Sequence, residues 1–154
     1  MTYWRMQLHP DESSEAIRHT VESLSAGYIG LDFAEDIPDM SRIQQSVLPE
    51  RHRNYYGFFN EMAREDWVLL FAHHYPFALV QVDGDYNYIH ATAPEIGVWF
   101  RHFRKIKKRV RYYGDYRTDA QSWVPITMAA TITPLRETTT ASYQLINRWL
   151  IDLP

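Results

Sequence analysis

Two apolar segments joined by a short polar turn constrain the fold of this chain most strongly. Residues 66–72 (DWVLLFA) and 77–82 (FALVQV) are apolar runs of strand length, which is typical of buried strands. Residues 73–76 (HHYP) supply the turn between them. Residues 83–85 (DGD) indicate a bulge, after which the strand continues through residues 86–89. The pattern therefore predicts a β-hairpin whose second strand is interrupted by an irregularity.

Further short strands and amphipathic helices flank this hairpin in the sequence. Alternation or β-branched residues predict strands at residues 3–8, 27–33 and 128–133. Apolar residues at helical spacing predict helices at residues 11–25, 55–64 and 138–150, the last capped by Thr138, Thr139 or Thr140. Residues 35–50 are polar and contain prolines, which predicts a loop with at most a short helical turn. Repeated short strands favour an α+β fold built on a β-rich barrel or sandwich.

Length and composition limit the class of protein. A chain of 154 residues fits one domain, here residues 1–154, with residues 138–154 as a C-terminal helix that leads toward a linker. The chain has no cysteine, which excludes a disulfide scaffold, a thiolate nucleophile and zinc sites with sulfur ligands. No apolar run approaches the roughly 18 residues of a membrane span, and no signal-peptide core opens the sequence. We therefore expect a cytoplasmic protein that does not contact a membrane.

Positive charge is concentrated in one short part of the chain. The formal net charge is −3, which by itself argues against a nucleic-acid partner. Residues 100–117, however, carry 8 of the 16 Lys and Arg residues and only 1 acidic residue. Such a local excess of positive charge can indicate a nucleic-acid partner even where the net charge of the chain is negative. Either this basic segment contacts phosphates, or it is an edge strand that its charges protect from pairing.

The basic segment fits two kinds of secondary structure. As a strand it places five cations on one face: Arg101, Lys105, Lys107, Arg109 and Arg111. As a helix it forms an apolar stripe: Trp99, Phe103, Ile106 and Val110. The sequence alone leaves both possibilities open.

The order of several segments resembles a known family. YWRM is followed by GYIGLDF, then FFNEMAREDWVLLFA, FALVQVDGDYNYI and VWFRHFRKIKKRVRYYGDY. This order, over residues 3–135, resembles the EVE/YTH-like branch of the PUA superfamily. It is similar in particular to the N-terminal readers of McrB-type modification-dependent restriction systems. Two positions depart from the family pattern, since Phe33 stands where Trp is frequent and Glu65 where Gly is usual.

The resemblance implies a curved β-barrel, flanked by helices, with a concave aromatic pocket for one extruded methylated base. Flipping a base costs a few kcal/mol of unstacking. Each aromatic stack returns about 1–3 kcal/mol, so two rings roughly balance that cost. The implied pocket residues are Phe33, Trp99, Trp67, Tyr28, Tyr88 and Asp32. The implied contacts to the nucleic-acid backbone are Arg101, Arg104, Lys105, Lys107, Lys108, Arg109 and Arg111.

Enzymatic motifs are missing from the sequence. There is no GxSxG, P-loop, dinucleotide or HExxH motif, and no nuclease D/E-x-K triple. The adjacent His73 and His74 would face opposite sides of a strand, which does not favour a shared metal ion. We therefore predict a binding domain with no catalytic residues, cofactor or metal.

The predicted partner is double-stranded DNA carrying a modified base. In McrB-type systems such a reader is normally fused to a GTP-hydrolysing motor that recruits a nuclease, so a GTPase domain and a nuclease subunit are implied as partners. This chain contains neither. Two alternatives remain: a reader of RNA or tRNA that contacts 2′-hydroxyls, and a small-molecule or protein-interaction barrel with no nucleic-acid role.

Overall fold

The computed structural model describes residues 1–8, 16–31, 33, 35–72, 74–107, 125–127 and 130–151. The described residues contain six strands: β1 (Tyr3–Gln7), β2 (Tyr28–Leu31), β3 (Trp67–Ala72), β4 (Tyr75–Tyr88), β5 (His102–Ile106) and β6 (Ile132–Leu135). The same ranges contain three α-helices: α1 (Ala16–Ala26), α2 (Tyr56–Asn60) and α3 (Ala141–Ile151). Short 3₁₀ turns occupy Met40–Arg42, Gln45–Val47, Glu50–Tyr55 and Pro94–Ile96. None of the helices in these ranges combines the length and apolarity of a membrane span.

The strands form one mixed sheet in the order β2-β5-β4-β3-β1-β6. All neighbouring pairs are antiparallel except β1 and β3, which run parallel with Tyr3 opposite Trp67. The α+β class is therefore confirmed. The predicted curved β-barrel is not shown, because the sheet of the described strands is not closed. Closure requires every edge strand to find a partner, whereas β2 and β6 lie at opposite edges of this open sheet.

The predicted hairpin is strands β3 and β4. Their register places Val68 opposite Val80 and Leu69 opposite Leu79. The bulge predicted at residues 83–85 is also present, because the pairing of β4 with β5 is interrupted between Val82 and Tyr86. β4 nevertheless runs unbroken to Tyr88, which carries its last residues past the hairpin and beside the start of β5.

The two faces of the sheet pack against different elements. Alternate side chains of β3 face opposite sides: Val68 and Leu70 join the larger core, while Leu69 and Phe71 join a smaller one with Trp149 of α3. The N-terminus of α3 is capped by Thr140, whose hydroxyl accepts from the backbone N–H of Tyr143 at 3.3 Å. The sheet thus separates an α3 side from the side on which α1, α2 and the 3₁₀ turns contribute to the larger core.

Residues 102–106 adopt the strand interpretation of the basic segment. Burial alternates along β5, with His102, Arg104 and Ile106 inside. Lys105 is exposed and Phe103 is half-buried. The helical interpretation is wrong for these five residues, because two neighbouring strands satisfy their backbone groups. Residues 108–117 of the basic segment lie outside the described residues.

Candidate functional site

Five ring side chains meet near the ends of β2 and β4 and the start of β5. We call this group the aromatic–histidine cluster; it comprises Phe33, His52, Tyr55, Tyr88 and His102. The Phe33 ring lies 5.3 Å from the His52 ring and 5.1 Å from the His102 ring, edge-on to both. Its ring also lies 5.2 Å from that of Tyr55, and Tyr88 lies 5.1 Å from His102 on β5. Phe33, Tyr55 and Tyr88 are half-buried, whereas His52 and His102 are buried, so the cluster is a wall of rings that only in part reaches the protein surface.

The β-sheet register brings these residues together. Leu31, two residues before Phe33, pairs with His102 across β2 and β5. Tyr88 pairs with His102 across β4 and β5. His52 and Tyr55 approach from the 3₁₀ turn Glu50–Tyr55. The cluster therefore depends on contacts between segments far apart in the sequence.

A chain of hydrogen bonds fixes His102 in one tautomer. The backbone N–H of Met40 donates to the Tyr86 hydroxyl at 3.0 Å. The Tyr86 hydroxyl lies 2.7 Å from Nδ1 of His102, and Nε2 of His102 lies 3.1 Å from the carbonyl oxygen of Ile37. Since the carbonyl can only accept, Nε2 carries the hydrogen and Nδ1 accepts from Tyr86. Burial lowers the pKa of His102 to about 4, which keeps the ring neutral at pH 7.

A second histidine of the cluster is held by a carboxylate. Nε2 of His52 lies 2.6 Å from Oε2 of Glu35, and the other oxygen of Glu35 contacts the guanidinium of Arg51. Burial, followed by the positive charge of Arg51, lowers the pKa of His52. Both histidines beside Phe33 are therefore neutral, so the wall of rings carries no charge of its own.

Arg101 lies at the rim of the cluster. Its guanidinium lies 5.9 Å from the centre of the Tyr88 ring. It also contacts Oδ1 of Asp36 at 2.5 Å and donates to the carbonyl oxygen of Ile37 at 3.5 Å. The structure thus places one predicted backbone-binding cation next to one predicted pocket residue, Tyr88.

A cleft of about 530 Å³ is lined in part by Tyr88. Rings of Phe59, Tyr86 and Tyr88 line it. Its polar rim includes Asn87 and the ion pair of Arg64 with Asp85, whose closest atoms lie 3.0 Å apart. Volumes of roughly 300–1,000 Å³ are usual for small-ligand sites, so the cleft has room for a nucleotide that flanks the cluster.

Three predicted pocket aromatics lie elsewhere. Trp99 packs on α1: its ring stacks on that of His19 at 3.7 Å, and its Nε1 donates to Glu22 at 2.8 Å. Trp67 packs with the smaller core on the α3 side of the sheet. Tyr28 lies edge-on to Phe103 at 5.4 Å, on the face of β2 opposite to buried Ile29 and Leu31. Asp32 lies outside the described residues.

The predicted backbone-binding cations also divide into groups. The side chain of Arg104 is buried, and its three nitrogens donate to the carbonyl oxygens of Phe58, Gly84 and Phe59 at 2.8–3.0 Å. We therefore assign Arg104 to holding α2 against β4, instead of to phosphate contact. Lys108, Arg109 and Arg111 lie outside the described residues.

Lys105 and Lys107 keep positions suited to a backbone contact, but each has an acidic neighbour. Lys107 lies 2.6 Å from Oε2 of Glu65, and Lys105 lies 3.9 Å from Oδ2 of Asp83. Exposed ion pairs of this kind contribute about 0–1 kcal/mol. A phosphate group could replace either carboxylate at little cost.

Sequence reasoning missed His52, Tyr55, Tyr86 and His102 as members or supports of the site. The alternation of Tyr86 and Tyr88 on one strand, beside His102 on the antiparallel neighbour, is a sequence signal for two of the five cluster members, Tyr88 and His102. The position of His52 and Tyr55 had no such signal, because it depends on how the segment 35–55 packs. Across the described ranges, no group of three or more potential ligands is arranged to hold a metal ion.

Comparison with known proteins finds similarity among solved structures. No family model matches the chain, and no curated protein matches it. Among solved structures, the chain is similar to the YTH domain of Zygosaccharomyces rouxii MRB1 protein in complex with N6-methyladenosine RNA. The match covers 99% of this chain and 88% of that one, at 13% sequence identity and a TM-score of 0.44.

Proposed function

We propose that this chain is a reader of a modified base in DNA that binds the extruded base against the aromatic–histidine cluster. The observation that carries the proposal is the position of Phe33. Its half-buried ring is supported by His52, Tyr55 and His102, and Tyr88 with Arg101 lies beside them. A supported flat ring next to a cation is what stacking a nucleobase and holding its phosphate require.

The energetics agree with this use of the cluster. Extruding a base costs a few kcal/mol, and it costs less when modification has already weakened the pair. Stacking returns about 1–3 kcal/mol per ring. The pKa of both neighbouring histidines is lowered, so their rings are neutral at pH 7. A neutral base can therefore stack beside them without the cost of desolvating a charged imidazolium.

Backbone binding would use the exposed side of β5. Lys105 lies on that side and Lys107 follows the strand two residues later, while Arg101 lies at the rim of the cluster. Their acidic neighbours, Asp36, Asp83 and Glu65, keep the described part of this surface close to neutral. The proposal therefore includes the basic residues that follow, Lys108, Arg109 and Arg111, as further phosphate contacts.

The choice of DNA rests on the sequence resemblance to readers of modification-dependent restriction systems. In that setting a GTP-hydrolysing motor and a nuclease would act on the DNA that this domain selects. The domain itself would be a binding module without catalytic activity.

Binding measurements with matched oligonucleotides test the proposal. Fluorescence anisotropy would compare duplexes with one N6-methyladenine, one 5-methylcytosine or no modification, and the same sequences as RNA. We expect one modified duplex to bind at least tenfold more tightly than the unmodified one. Replacement of Phe33 by Ala should remove that preference, whereas Tyr28→Ala, an aromatic on the other face of β2, should keep it.

Two outcomes would contradict the proposal. Equal weak binding of every oligonucleotide would favour a small-molecule or protein-interaction domain. A preference confined to the RNA set would instead identify the reader of modified RNA that PUA relatives exemplify.

A further inference from the structure

His52 carries a buried nitrogen with no hydrogen-bond partner in the part of the chain that the structure describes. The residue is only 8% exposed, and its Nδ1 has no hydrogen-bond partner among the described residues. Buried polar atoms are nearly always paired, because an unmade hydrogen bond costs free energy. An exception inside the aromatic–histidine cluster therefore requires an explanation.

The two histidines beside Phe33 differ in this respect. His102 uses both ring nitrogens, one toward Tyr86 and one toward the carbonyl of Ile37. His52 uses only Nε2, toward Glu35. Both rings lie edge-on to Phe33 at nearly the same distance, 5.1 and 5.3 Å. Two imidazoles thus lie against the same aromatic ring. Both nitrogens of His102 are hydrogen-bonded, whereas among the described residues only Nε2 of His52 is.

The contacts of Glu35 decide what the free nitrogen can do. The carboxylate of Glu35 can only accept hydrogen bonds, so neutral His52 presents its Nε2 hydrogen to it. Arg51 binds the other oxygen of Glu35. Nδ1 of His52 is then a bare lone pair, fixed in orientation and able only to accept.

Resting on the proposed function, we propose that Nδ1 of His52 accepts a hydrogen bond from the exocyclic amine of the base held against Phe33. This assigns the base to the class with an exocyclic amine, which is adenine, cytosine or guanine; the modified adenine and cytosine tested above belong to it and keep at least one amine hydrogen. His52 would then be a specificity-determining residue. A base whose amine carries two methyl groups has no hydrogen to donate and would be rejected.

Two substitutions separate this role from a structural one. The amide of Gln occupies roughly the place of Nε2 and that of Asn the place of Nδ1. His52→Gln therefore keeps a partner for Glu35 but removes the acceptor, whereas His52→Asn keeps an acceptor near Nδ1 and gives up the Glu35 contact. Thermal unfolding of each variant shows whether it is folded before binding is measured.

The probes are DNA duplexes with one N6-methyladenine or one N6,N6-dimethyladenine, and the matching pair on 5-methylcytosine with a free or dimethylated N4. We expect the unchanged protein to prefer the amine-bearing member of one pair by at least tenfold. His52→Gln should reduce that preference to less than threefold, and His52→Asn should retain most of it. Steric rejection of the second methyl group would persist in His52→Gln, so the comparison isolates the hydrogen bond.

The outcomes distinguish this inference from the proposed function. Equal binding of both members of the preferred pair, or an unchanged preference in His52→Gln, would overturn the role of His52 and leave base reading intact. Failure of the unchanged protein to prefer any modified duplex over an unmodified one would overturn both.

Discussion

The Tyr86 hydroxyl donates to Nδ1 of His102 at a distance of 2.7 Å, and this bond determines which nitrogen of His102 carries a hydrogen. Since Tyr86 in turn accepts from the backbone of Met40 at 3.0 Å, the segment that contains Met40 is tied to the sheet through one phenol. Burial raises the pKa of Tyr86, so the phenol stays protonated. The tautomer of His102 beside Phe33 therefore depends on the hydrogen bonds of Tyr86 and Met40 as well as on His102 itself.

Removing the Tyr86 hydroxyl should destabilise the fold. Tyr86→Phe leaves the N–H of Met40 and Nδ1 of His102 without their partner, and an unpaired buried group costs about 1–3 kcal/mol. Urea unfolding measures the loss. Tyr28→Phe, on the outer face of β2, is the matched control and should change stability by less than about 0.5 kcal/mol. A Tyr86→Phe protein as stable as its parent would show that the network does not hold the segment.

Acidification should weaken the protein through His102. Its pKa is about 4 in the fold and about 6.5 in an unfolded chain. The unfolded state therefore binds more protons between these values, and stability falls as pH decreases from about 6.5 to about 4. The contribution is at most about 3 kcal/mol.

Urea unfolding at several pH values, on the parent and on His102→Asn, checks this prediction. The lowered pKa of His52 acts in the same direction in both proteins, so the difference between them isolates His102. The variant should lose less stability on acidification, and parallel curves would contradict the assignment.

Arg104 should matter for stability and Lys105 for the salt dependence of DNA binding. Burial lowers the pKa of Arg104 to about 10, so the guanidinium stays charged at neutral pH while it donates hydrogen bonds to three carbonyl oxygens. Arg104→Met should cost about 3 kcal/mol, because it leaves those carbonyls unpaired. Lys105→Met should leave stability nearly unchanged.

The role of Lys105 is measured from the salt dependence of binding to the preferred modified duplex. If Lys105 contacts one phosphate, Lys105→Met should make the slope of log K against log salt concentration shallower by about 0.9. An unchanged slope would remove Lys105 from the phosphate surface, and an Arg104→Met protein of full stability would refute the structural role of Arg104.

Glu65 occupies a backbone conformation that favours glycine. Its φ is 71°, which costs a residue with a side chain about 1 kcal/mol. Glu65→Gly should relieve this strain but loses the ion pair with Lys107, so we expect a net gain of about 0–1 kcal/mol. Glu65→Ala keeps the strain and loses the pair, and it should be less stable than the parent. A glycine variant less stable than the alanine variant would contradict the strain.

Local patterns predicted the elements of the fold better than their assembly. Apolar runs and the DGD signal predicted β3, β4 and the bulge in β4. Strand length and turn type depend on residues that are adjacent in the sequence. The pairing of β1 with β3 in parallel, and the open edges at β2 and β6, depend on contacts distant in sequence. For that reason the barrel that the resemblance implies is the part of the fold prediction that the described sheet does not show.

The same limit applies to the candidate site. Phe33 and Tyr88 were predicted and lie in the cluster, whereas Trp67 shares its side of β3 with Leu69 and Phe71 and faces α3. Strand alternation predicts that these three residues share a face, but not which face a helix will cover. Trp99 was placed by its nearness to the basic segment, and its contacts with α1 have no counterpart in the local sequence.

The most direct test of base reading at Phe33 measures extrusion itself. A duplex would carry 2-aminopurine next to the modified base, where loss of the stacked neighbour increases its fluorescence. We predict that the unchanged protein raises this fluorescence on binding the preferred modified duplex and that Phe33→Ala does not. Tight binding of that duplex by the unchanged protein, with no increase in fluorescence, would show that the base stays in the helix and would contradict the account.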